Sequence, residues 1–326
     1  MSSEWRGEWL ALRQPELTAL GCDWRALCAI VAEVNDCLLA GDAVQPMKPY
    51  LRYGDRRNRI IAMPAYVGGA VHRAGLKWIA SFPGNRTHGL ARAHSVTVLN
   101  DADSGVPLAV VDSGILSARR TAAVSACFLQ QCEAWLSGSF RVGLIGCGPI
   151  GQMHLQMLDA LYGERVLEYV VYDVSEETCK RFCEMAEREQ MTVKRCASWQ
   201  EVYDQADVVL TCTASSERYI DVEPPMNGKI LLHISLRDYE PRVLEQIPLV
   251  VVDRWDEVCR EGTDIELWYR QFGGTKKLVQ EWPERIDAKR WHDMAAARAT
   301  VMFSPMGMAV YDIAIAEYYY RLAQKQ

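Results

Sequence analysis

The chain has 326 residues, of which 49% are hydrophobic and 24% are charged, a composition typical of folded proteins and a length that suits two domains. Its 36 lysines and arginines against 42 acids give a net charge of −6, which disfavours a nucleic-acid partner. No apolar stretch is long enough to cross a bilayer and no secretory leader is evident, so we expect a cytoplasmic protein without a membrane partner.

The cysteines and histidines give no indication of a metal site. Eleven cysteines are scattered along the chain without a C-x-x-C pair, and the six histidines share no ligand spacing. Several cysteines lie in apolar runs, so reduced, buried thiols are expected.

The first part of the chain predicts a helix followed by an antiparallel sheet. Apolar residues recur at helical spacing from Leu17 to Leu39, which predicts one amphipathic helix. Four strand-like segments follow, separated by Gly, Pro and Asn or Asp turns: Arg59–Met63, Ala74–Ala80, His94–Leu99 and Pro107–Val111. An alanine-rich helix, Arg120–Gln130, then leads out of this sheet.

The next apolar strand runs directly into glycines with the spacing G-x-G-x-x-G and then into a helix. Gly146 permits the tight turn, Gly148 lets the backbone approach a pyrophosphate, and Gly151 lets helix and strand pack closely. A second apolar strand, Val166–Tyr172, ends at Asp173, about twenty residues further on, where an acid binds the hydroxyls of an adenosine ribose. This order of strand, glycines, helix, strand and acid predicts a dinucleotide-binding domain.

Beyond this acid, strands and helices alternate, which predicts a parallel sheet with right-handed crossovers. The predicted elements are helix Glu176–Gln190, strand Thr192–Arg195, helix Trp199–Asp204 and strands Val208–Thr213, Lys229–Ile234 and Leu249–Asp253. A last apolar helix, from Met306, returns to the first domain. We therefore expect an α/β protein: a Rossmann-type doubly wound parallel sheet in residues 121–303 and a discontinuous α+β domain in residues 1–120 and 304–326, with the active site in the cleft between them.

Two cations occupy positions where a charge needs a partner. Lys77 lies among half-buried residues of a strand, although strand alternation also permits an outward-facing lysine. Arg120 is predicted at the start of a helix, where the helix dipole disfavours a cation. We expect their partner to be a substrate carboxylate rather than a protein acid. Arg119 is expected at the surface.

Further candidate residues lie near the same strands or beyond the parallel sheet. The guanidinium groups of Arg52 and Arg92 suit bidentate binding of a carboxylate, although each arginine taken alone is more often a surface residue. Lys48 is an alternative to Arg52 for this role. Asp238 follows the strand that ends at Ile234, and ligands of doubly wound sheets bind beyond the carboxyl ends of strands. It is a candidate for accepting a proton or holding an ammonium group, or else a turn-forming residue.

These motifs together resemble the ornithine cyclodeaminase/mu-crystallin family over nearly the whole chain. The resemblance rests on the glycine turn, the Lys77 strand and four further segments: Met63–Tyr66, Leu99–Pro107, Ser117–Ser125 and Met306–Asp312. It implies an NAD-dependent enzyme that is a homodimer, built through the discontinuous domain, which also binds the substrate.

The resemblance also implies roles for individual residues. Lys77 and Arg120 would bind a substrate α-carboxylate, with Lys48 or Arg52 supplying another cation. Beyond the resemblance, the mechanism that we expect uses Arg92 to help orient the substrate and Lys77 and Asp238 in catalysis. The residues expected to bind the cofactor are Gly146, Gly148, Pro149, Ile150, Gly151, Asp173, Thr213 and Ser235.

Within the family, segments such as Gln45–Arg52 and Cys259–Thr263 look most like a siderophore-pathway branch. That branch oxidises N-(1-amino-1-carboxy-2-ethyl)glutamate with NAD, and water then releases 2,3-diaminopropionate and 2-oxoglutarate. The substrate has three carboxylates, which suits a pocket rich in cations. Two alternatives stay open: an ornithine cyclodeaminase or related amino-acid or imine dehydrogenase, and a nucleotide-dependent binding protein. The segment Ser235–Tyr239 departs from the cyclodeaminase pattern, which disfavours ornithine as the substrate.

Overall fold

The computed structural model describes residues 8–136, 138–222, 228–273, 279–284 and 287–325. The chain forms two compact units. The first comprises Met1–Val124 and Met308–Gln326, and the second comprises Ser125–Gly307.

The first unit is a mixed sheet packed against helices. Its strands are β1 (Leu10–Leu12), β2 (Ala43–Val44), β3 (Tyr50–Leu51), β4 (Arg59–Val67), β5 (Arg73–Ser81), β6 (Ala93–Asp101) and β7 (Pro107–Asp112). Its helices are α1 (Gln14–Ala19), α2 (Trp24–Ala40), a 3-10 turn at Pro83–His88 and the last helix of the chain, α11 (Ala309–Ala323). Helix α3 (Ser113–Gln131) follows β7 and continues into the second unit.

The sheet of the first unit has the order β1-β7-β6-β5-β4-β2, with β3 also paired to β4. Within this sheet, neighbouring strands from β4 to β7 are antiparallel. Of the strands described for this sheet, only β1 pairs in parallel, and its partner is β7. Helix α11 packs against β4, β5 and β6. Alternate residues of β4, such as Met63, Ala65 and Val67, are buried, as the period of two in a strand requires.

Two helix predictions in this unit are wrong at their boundaries. The predicted helix Leu17–Leu39 is broken, because Gly21 adopts a φ of +73° and Asp23 caps a new helix by accepting a hydrogen bond from the Ala26 amide at 3.0 Å. Helix α3 begins at Ser113, not at Arg120, because Asp112 accepts a hydrogen bond from the Gly114 amide at 3.0 Å and starts the helix directly after β7. The helix dipole is therefore not what makes Arg120 need an anion.

The second unit is a parallel sheet with intervening helices. Its strands are β8 (Phe140–Ile145), β9 (Val166–Tyr172), β10 (Val193–Arg195), β11 (Val208–Thr211), β12 (Ile230–His233), β13 (Leu249–Val252), β14 (Val279–Glu281) and β15 (Val301–Phe303). Its helices are α4 (Pro149–Tyr162), α5 (Glu176–Arg188), α6 (Trp199–Gln205), α7 (Pro241–Gln246), α8 (Trp255–Val258), α9 (Asp264–Phe272) and α10 (Ala288–Ala296).

The described strands of this unit pair in parallel in the order β10-β9-β8-β11-β12-β15-β13-β14. The chain order reverses at β8, which is the switch point of a doubly wound sheet. The predicted α/β fold class, with a Rossmann-type sheet and a discontinuous α+β unit, is confirmed. Sequence reasoning missed β15, which lies between β12 and β13 although it comes last in the chain.

Candidate active site

The turn after β8 has the geometry of a dinucleotide-binding loop. Gly146 adopts a φ of +106°, and a Cβ on it would lie 2.6 Å from the carbonyl oxygen of Cys212. A Cβ on Gly151 would lie 2.2 Å from the carbonyl oxygen of Gly146. A Cβ on Gly148, in contrast, would meet no atom within 4 Å in the described part of the chain. The first and third glycines are required by the fold, whereas the second keeps open the space through which a pyrophosphate approaches the backbone.

Helix α4 starts at this loop. Gly148 is its N-cap and Pro149 and Ile150 are its first residues. Proline suits the first position because the amide it lacks would have no partner within the helix. The remaining amides of the first turn, together with the helix dipole, favour an anion at this end. The loop therefore fits the pyrophosphate of a dinucleotide.

Asp173, which follows β9, is bonded to the glycine loop. Its Oδ2 accepts a hydrogen bond from the Cys147 amide at 2.8 Å, and its Oδ1 accepts one from the Ser175 amide at 2.9 Å. A carboxylate has about four lone-pair sites, so these two bonds leave it able to accept further bonds from ribose hydroxyls. The structure thus adds a loop-ordering contact to the ribose role expected from the sequence.

In the first unit, β5, α3 and α11 meet at one buried carboxylate. Lys77 is 1% exposed, and its Nζ donates to Asp312 Oδ1 at 2.9 Å and to the hydroxyl of Ser117. Arg120 donates its Nε to the same oxygen of Asp312 at 3.0 Å. Both cations and Asp312 are buried, so each depends on the others to remain charged.

A third cation, Lys48, is also buried and acts on Lys77. Burial lowers the pKa of Lys77 to about 8; Asp312 opposes this effect, whereas Arg120 and Lys48 add to it. Burial would raise the pKa of Asp312, but Arg120 and Lys77 hold it below its ordinary value. In this cation cluster, defined as Lys48, Lys77, Arg120 and Asp312, two cations and one carboxylate act on Lys77. Lysine and arginine side chains grouped in this way suit the binding of a carboxylate.

Two sequence-based expectations about these cations are wrong. The partner of Lys77 and Arg120 is a protein acid, Asp312, and not a substrate carboxylate alone. Arg119 is buried and not at the surface, because it donates to the carbonyl of Leu17 and to the hydroxyl of Tyr319, both at 2.9 Å. Those bonds tie α3 to α1 and α11.

The other two arginines of the prediction also belong to the first unit. Arg52 is exposed and donates to the carbonyl of Arg56 at 3.0 Å. Arg92 is half-buried and precedes β6. Arg120 and Lys48 are among the charges with the largest effect on the pKa of Lys77, so the structure groups Lys48 with Lys77 and Arg120.

Three predicted site residues of the second unit are bonded to one another beyond β11 and β12. Asp238 is completely buried and accepts hydrogen bonds from the hydroxyls of Thr213 and Ser235. Burial would raise the pKa of Asp238, but His233 and the two hydroxyls bring it to about 2. A carboxylate this acidic is a weak proton acceptor at neutral pH, so its surroundings favour a positioning role over proton transfer.

Sequence reasoning missed Asp312, His233 and Asp264 as partners in these clusters. Asp312 is an acid in the apolar first turn of α11. Because burying a charge is costly without a partner, its position in the sequence could have indicated that it pairs with a cation. His233 ends the apolar strand β12, and Asp264 begins α9. Nothing local marks either of these as the partner of Asp238.

The fold and the glycine loop define a protein class: a Rossmann-type dinucleotide-binding protein with an additional α+β unit. The model of the ornithine cyclodeaminase/mu-crystallin family matches residues 27–233, and the chain belongs to this family. The resemblance found in the sequence is thereby confirmed.

Relatives of known name match most of the chain. The chain is 31% identical over 292 residues to the N-((2S)-2-amino-2-carboxyethyl)-L-glutamate dehydrogenase of Staphylococcus aureus, covering 87% of this chain and 86% of that protein. The Thermococcus litoralis Delta(1)-pyrroline-2-carboxylate reductase, in complex with NADH and L-proline, has a TM-score of 0.83 at 20% identity and covers 97% of this chain and 98% of its own. An archaeal alanine dehydrogenase dimer with bound NAD has a TM-score of 0.80 at 23% identity, with 97% and 96% covered.

Two further features concern the described residues alone. None of the helices in the described ranges is long and apolar enough to span a membrane. All eleven cysteines lie in these ranges and are free thiols.

Proposed function

We propose that the protein is an NAD-dependent dehydrogenase that acts on the CH–NH bond of N-(1-amino-1-carboxy-2-ethyl)glutamate. The products are 2,3-diaminopropionate, 2-oxoglutarate, NADH and a proton, and one water is consumed. The observation that carries this proposal is the buried cation cluster, in which Lys77 and Arg120 both pair with Asp312 and the buried Lys48 acts on Lys77. The 31% identical Staphylococcus aureus dehydrogenase, whose name contains the same substrate, supports it.

The second unit fits the cofactor. Gly148 leaves room for the pyrophosphate, and Asp173 retains acceptor capacity for the ribose hydroxyls. When bound, NAD supplies the hydride acceptor for oxidation of the substrate carbon. Asp173 favours NAD over NADP, because its carboxylate accepts hydrogen bonds from the 2′-hydroxyl but repels a 2′-phosphate.

The residues of the first unit bind and orient the substrate. The Lys77 ammonium group donates two of its three N–H groups to Asp312 and Ser117, and the third can bind a substrate carboxylate. Arg120 uses its Nε for Asp312, and within the described ranges its two terminal nitrogens are available for a bidentate contact. Asp312 holds both cations in place, which fixes the carboxylate and with it the orientation of the neighbouring C–H bond.

The substrate assay tests the proposal directly. The protein, NAD and N-(1-amino-1-carboxy-2-ethyl)glutamate should yield NADH, 2-oxoglutarate and 2,3-diaminopropionate in equal amounts, and ornithine should yield nothing. Cyclodeamination returns its hydride to the ring imine and leaves no net NADH, so the two chemistries are distinguishable. Proline and ammonia from ornithine, with no NADH from the glutamate conjugate, would assign the protein to the cyclodeaminases instead.

We also propose a place in siderophore or antibiotic precursor synthesis and a homodimer. 2,3-Diaminopropionate is a building block, so the consuming reaction would be one that forms amide bonds to it. The dimer is supported by an uncovered apolar face on the sheet of the first unit, where Trp78 and Val96 are each 40% exposed. The archaeal alanine dehydrogenase of similar fold is a dimer.

A further inference from the structure

The carboxylate of Asp238 accepts hydrogen bonds from three hydroxyl groups. Its Oδ1 accepts hydrogen bonds from Thr213 and, at 3.2 Å, from Tyr219, and its Oδ2 accepts one from Ser235. A carboxylate without a proton can only accept, so each hydroxyl must donate its single proton to Asp238.

The buried side chain of His233 keeps Asp238 ionised. The Nε2 of His233 lies 3.4 Å from Asp238 Oδ2 and 3.1 Å from Asp264 Oδ2, and all three side chains are completely buried. Burial alone would lower the pKa of His233, but the two carboxylates raise it to about 9. His233 is therefore a cation between two anions at neutral pH, and Arg218 pairs with Asp264 at 2.6 Å on the other side.

The backbone fixes the position of Asp238 as well. Asp264 Oδ2 accepts hydrogen bonds from the amides of Asp238 and Tyr239, both at 2.8 Å. These two bonds fix the backbone at Asp238, and the bonds from Thr213 and Ser235 hold its side chain. Thr213 and Ser235 are thus held with their protons directed inward and their lone pairs directed elsewhere.

Thr213 and Ser235 lie where the second half of a dinucleotide binds. They follow β11 and β12, which are the strands next to β8 on the side opposite β9. Asp173, the residue for the adenosine ribose, follows β9, so the nicotinamide half extends beyond β11 and β12. The backbone amide of Thr213 lies within 3.0 Å of the Cβ position of Gly146, which places Thr213 directly beside the pyrophosphate loop.

We propose that Asp238, held by His233 and Asp264, makes the hydroxyls of Thr213 and Ser235 obligate hydrogen-bond acceptors that select the carboxamide NH2 group of the nicotinamide ring. The inference rests on the proposed use of NAD and specifies how this site recognises it. Because Thr213 already accepts a bond from the Ser215 amide at 3.2 Å, Ser235 carries the larger share of the selection. Asp238, His233 and Asp264 are positioning residues in this scheme.

Calorimetric titration with NAD and its 3-acetylpyridine analogue tests the scheme, because the analogue keeps the ring carbonyl but replaces NH2 with a methyl group. The unmodified protein should bind NAD roughly three- to ten-fold more tightly than the analogue, the difference that one neutral hydrogen bond makes. In Ser235→Ala this preference should shrink to about two-fold or less. Ser216→Ala, an exposed serine near Thr213, should keep it.

A second variant tests the direction of the bond. Asp238→Asn places an amide where the carboxylate was, so the hydroxyls can turn and donate to the ring substituent, and binding of the analogue should improve relative to NAD. If this variant does not fold, Ser235→Ala decides alone. Equal affinity of the unmodified protein for the two dinucleotides, or an unchanged preference in Ser235→Ala, would overturn the inference while leaving NAD use intact. Failure to bind NAD at all would overturn the proposed function and the inference with it.

Discussion

At the residue scale, the stability of the first unit depends on Asp312, the carboxylate shared by Lys77 and Arg120. Asp312→Asn keeps the shape of the side chain but leaves two buried cations without their counter-ion. Breaking a buried ion pair by removing one partner typically costs about 3–5 kcal/mol, and we expect a loss of that order in the free energy of unfolding. Urea denaturation measures it.

An exposed pair provides the matched control. Lys289 and Asp293 form an ion pair on α10 with side chains 84% and 57% exposed. Asp293→Asn should change the free energy of unfolding by about 1 kcal/mol or less, because water screens the pair. If Asp312→Asn costs no more than this control, then Asp312 does not hold the two cations as described.

Lys77 gives the enzyme a pH dependence. Burial lowers its pKa to about 8, so Lys77 is charged below that pH and neutral above it. The KM for the proposed tricarboxylate substrate should therefore rise above about pH 8. A pH profile of kcat/KM measures this limb. In Lys77→Arg the fall of kcat/KM at alkaline pH should move to higher pH. If it stays at the same pH, another group is responsible for it.

The sequence identified Lys77 and Arg120 because charged residues in half-buried segments need partners, and this argument is local. It did not identify the partner, because Asp312 lies 235 residues from Lys77 in the chain and meets it only after β5 and α11 pack. The reasoning also misplaced Arg119, since adjacent helix residues point in different directions and the helix boundary was set seven residues too late.

At the element scale, the three glycines of the loop differ in what they tolerate. Gly151→Ala would place a methyl group 2.2 Å from the Gly146 carbonyl, so we expect a loss of stability of several kcal/mol. Gly148→Ala meets no described atom within 4 Å and has an ordinary φ of −74°, so its stability should change by about 1 kcal/mol or less.

For variants that fold correctly, the effect on NAD affinity should follow the opposite order, with the larger loss in Gly148→Ala. The methyl group of Gly148→Ala would occupy the space that a pyrophosphate needs, and affinity for NAD should fall roughly ten-fold or more. Thermal melts and NAD titrations on both variants separate the two roles. Tight NAD binding by a stable Gly148→Ala protein would contradict the assignment of this open space to the cofactor.

Elements with a strong local period were predicted well. Strand β9 and the start of α5 were placed correctly, because Val166–Tyr172 is an apolar run and Ser175 caps the helix that follows. Strand β15 was missed because Val301–Phe303 has only three residues and no alternation. Its position between β12 and β13 follows from long-range pairing, which no local pattern contains.

At the scale of the whole molecule, the residues that the structure describes bury only one face of the sheet of the first unit. Helix α11 covers the face that carries Lys77 and Met63. The opposite face carries Trp78 and Val96, which pair directly across β5 and β6. Monomeric proteins rarely leave such an apolar face in water, so a second copy of the chain is its expected partner.

The oligomeric state follows from this face. Sedimentation equilibrium should give twice the mass of the chain, because apolar side chains on a two-fold axis meet their own copies. Trp78→Glu puts a charge on each side of that contact, where it would be buried without a partner, and should shift the protein to a monomer at micromolar concentration. Leu167→Glu is the matched control, since Leu167 is 60% exposed on β9 of the other unit and should leave the mass doubled. A monomeric unmodified protein, or a Trp78→Glu variant that remains a dimer, would show that this face serves another purpose.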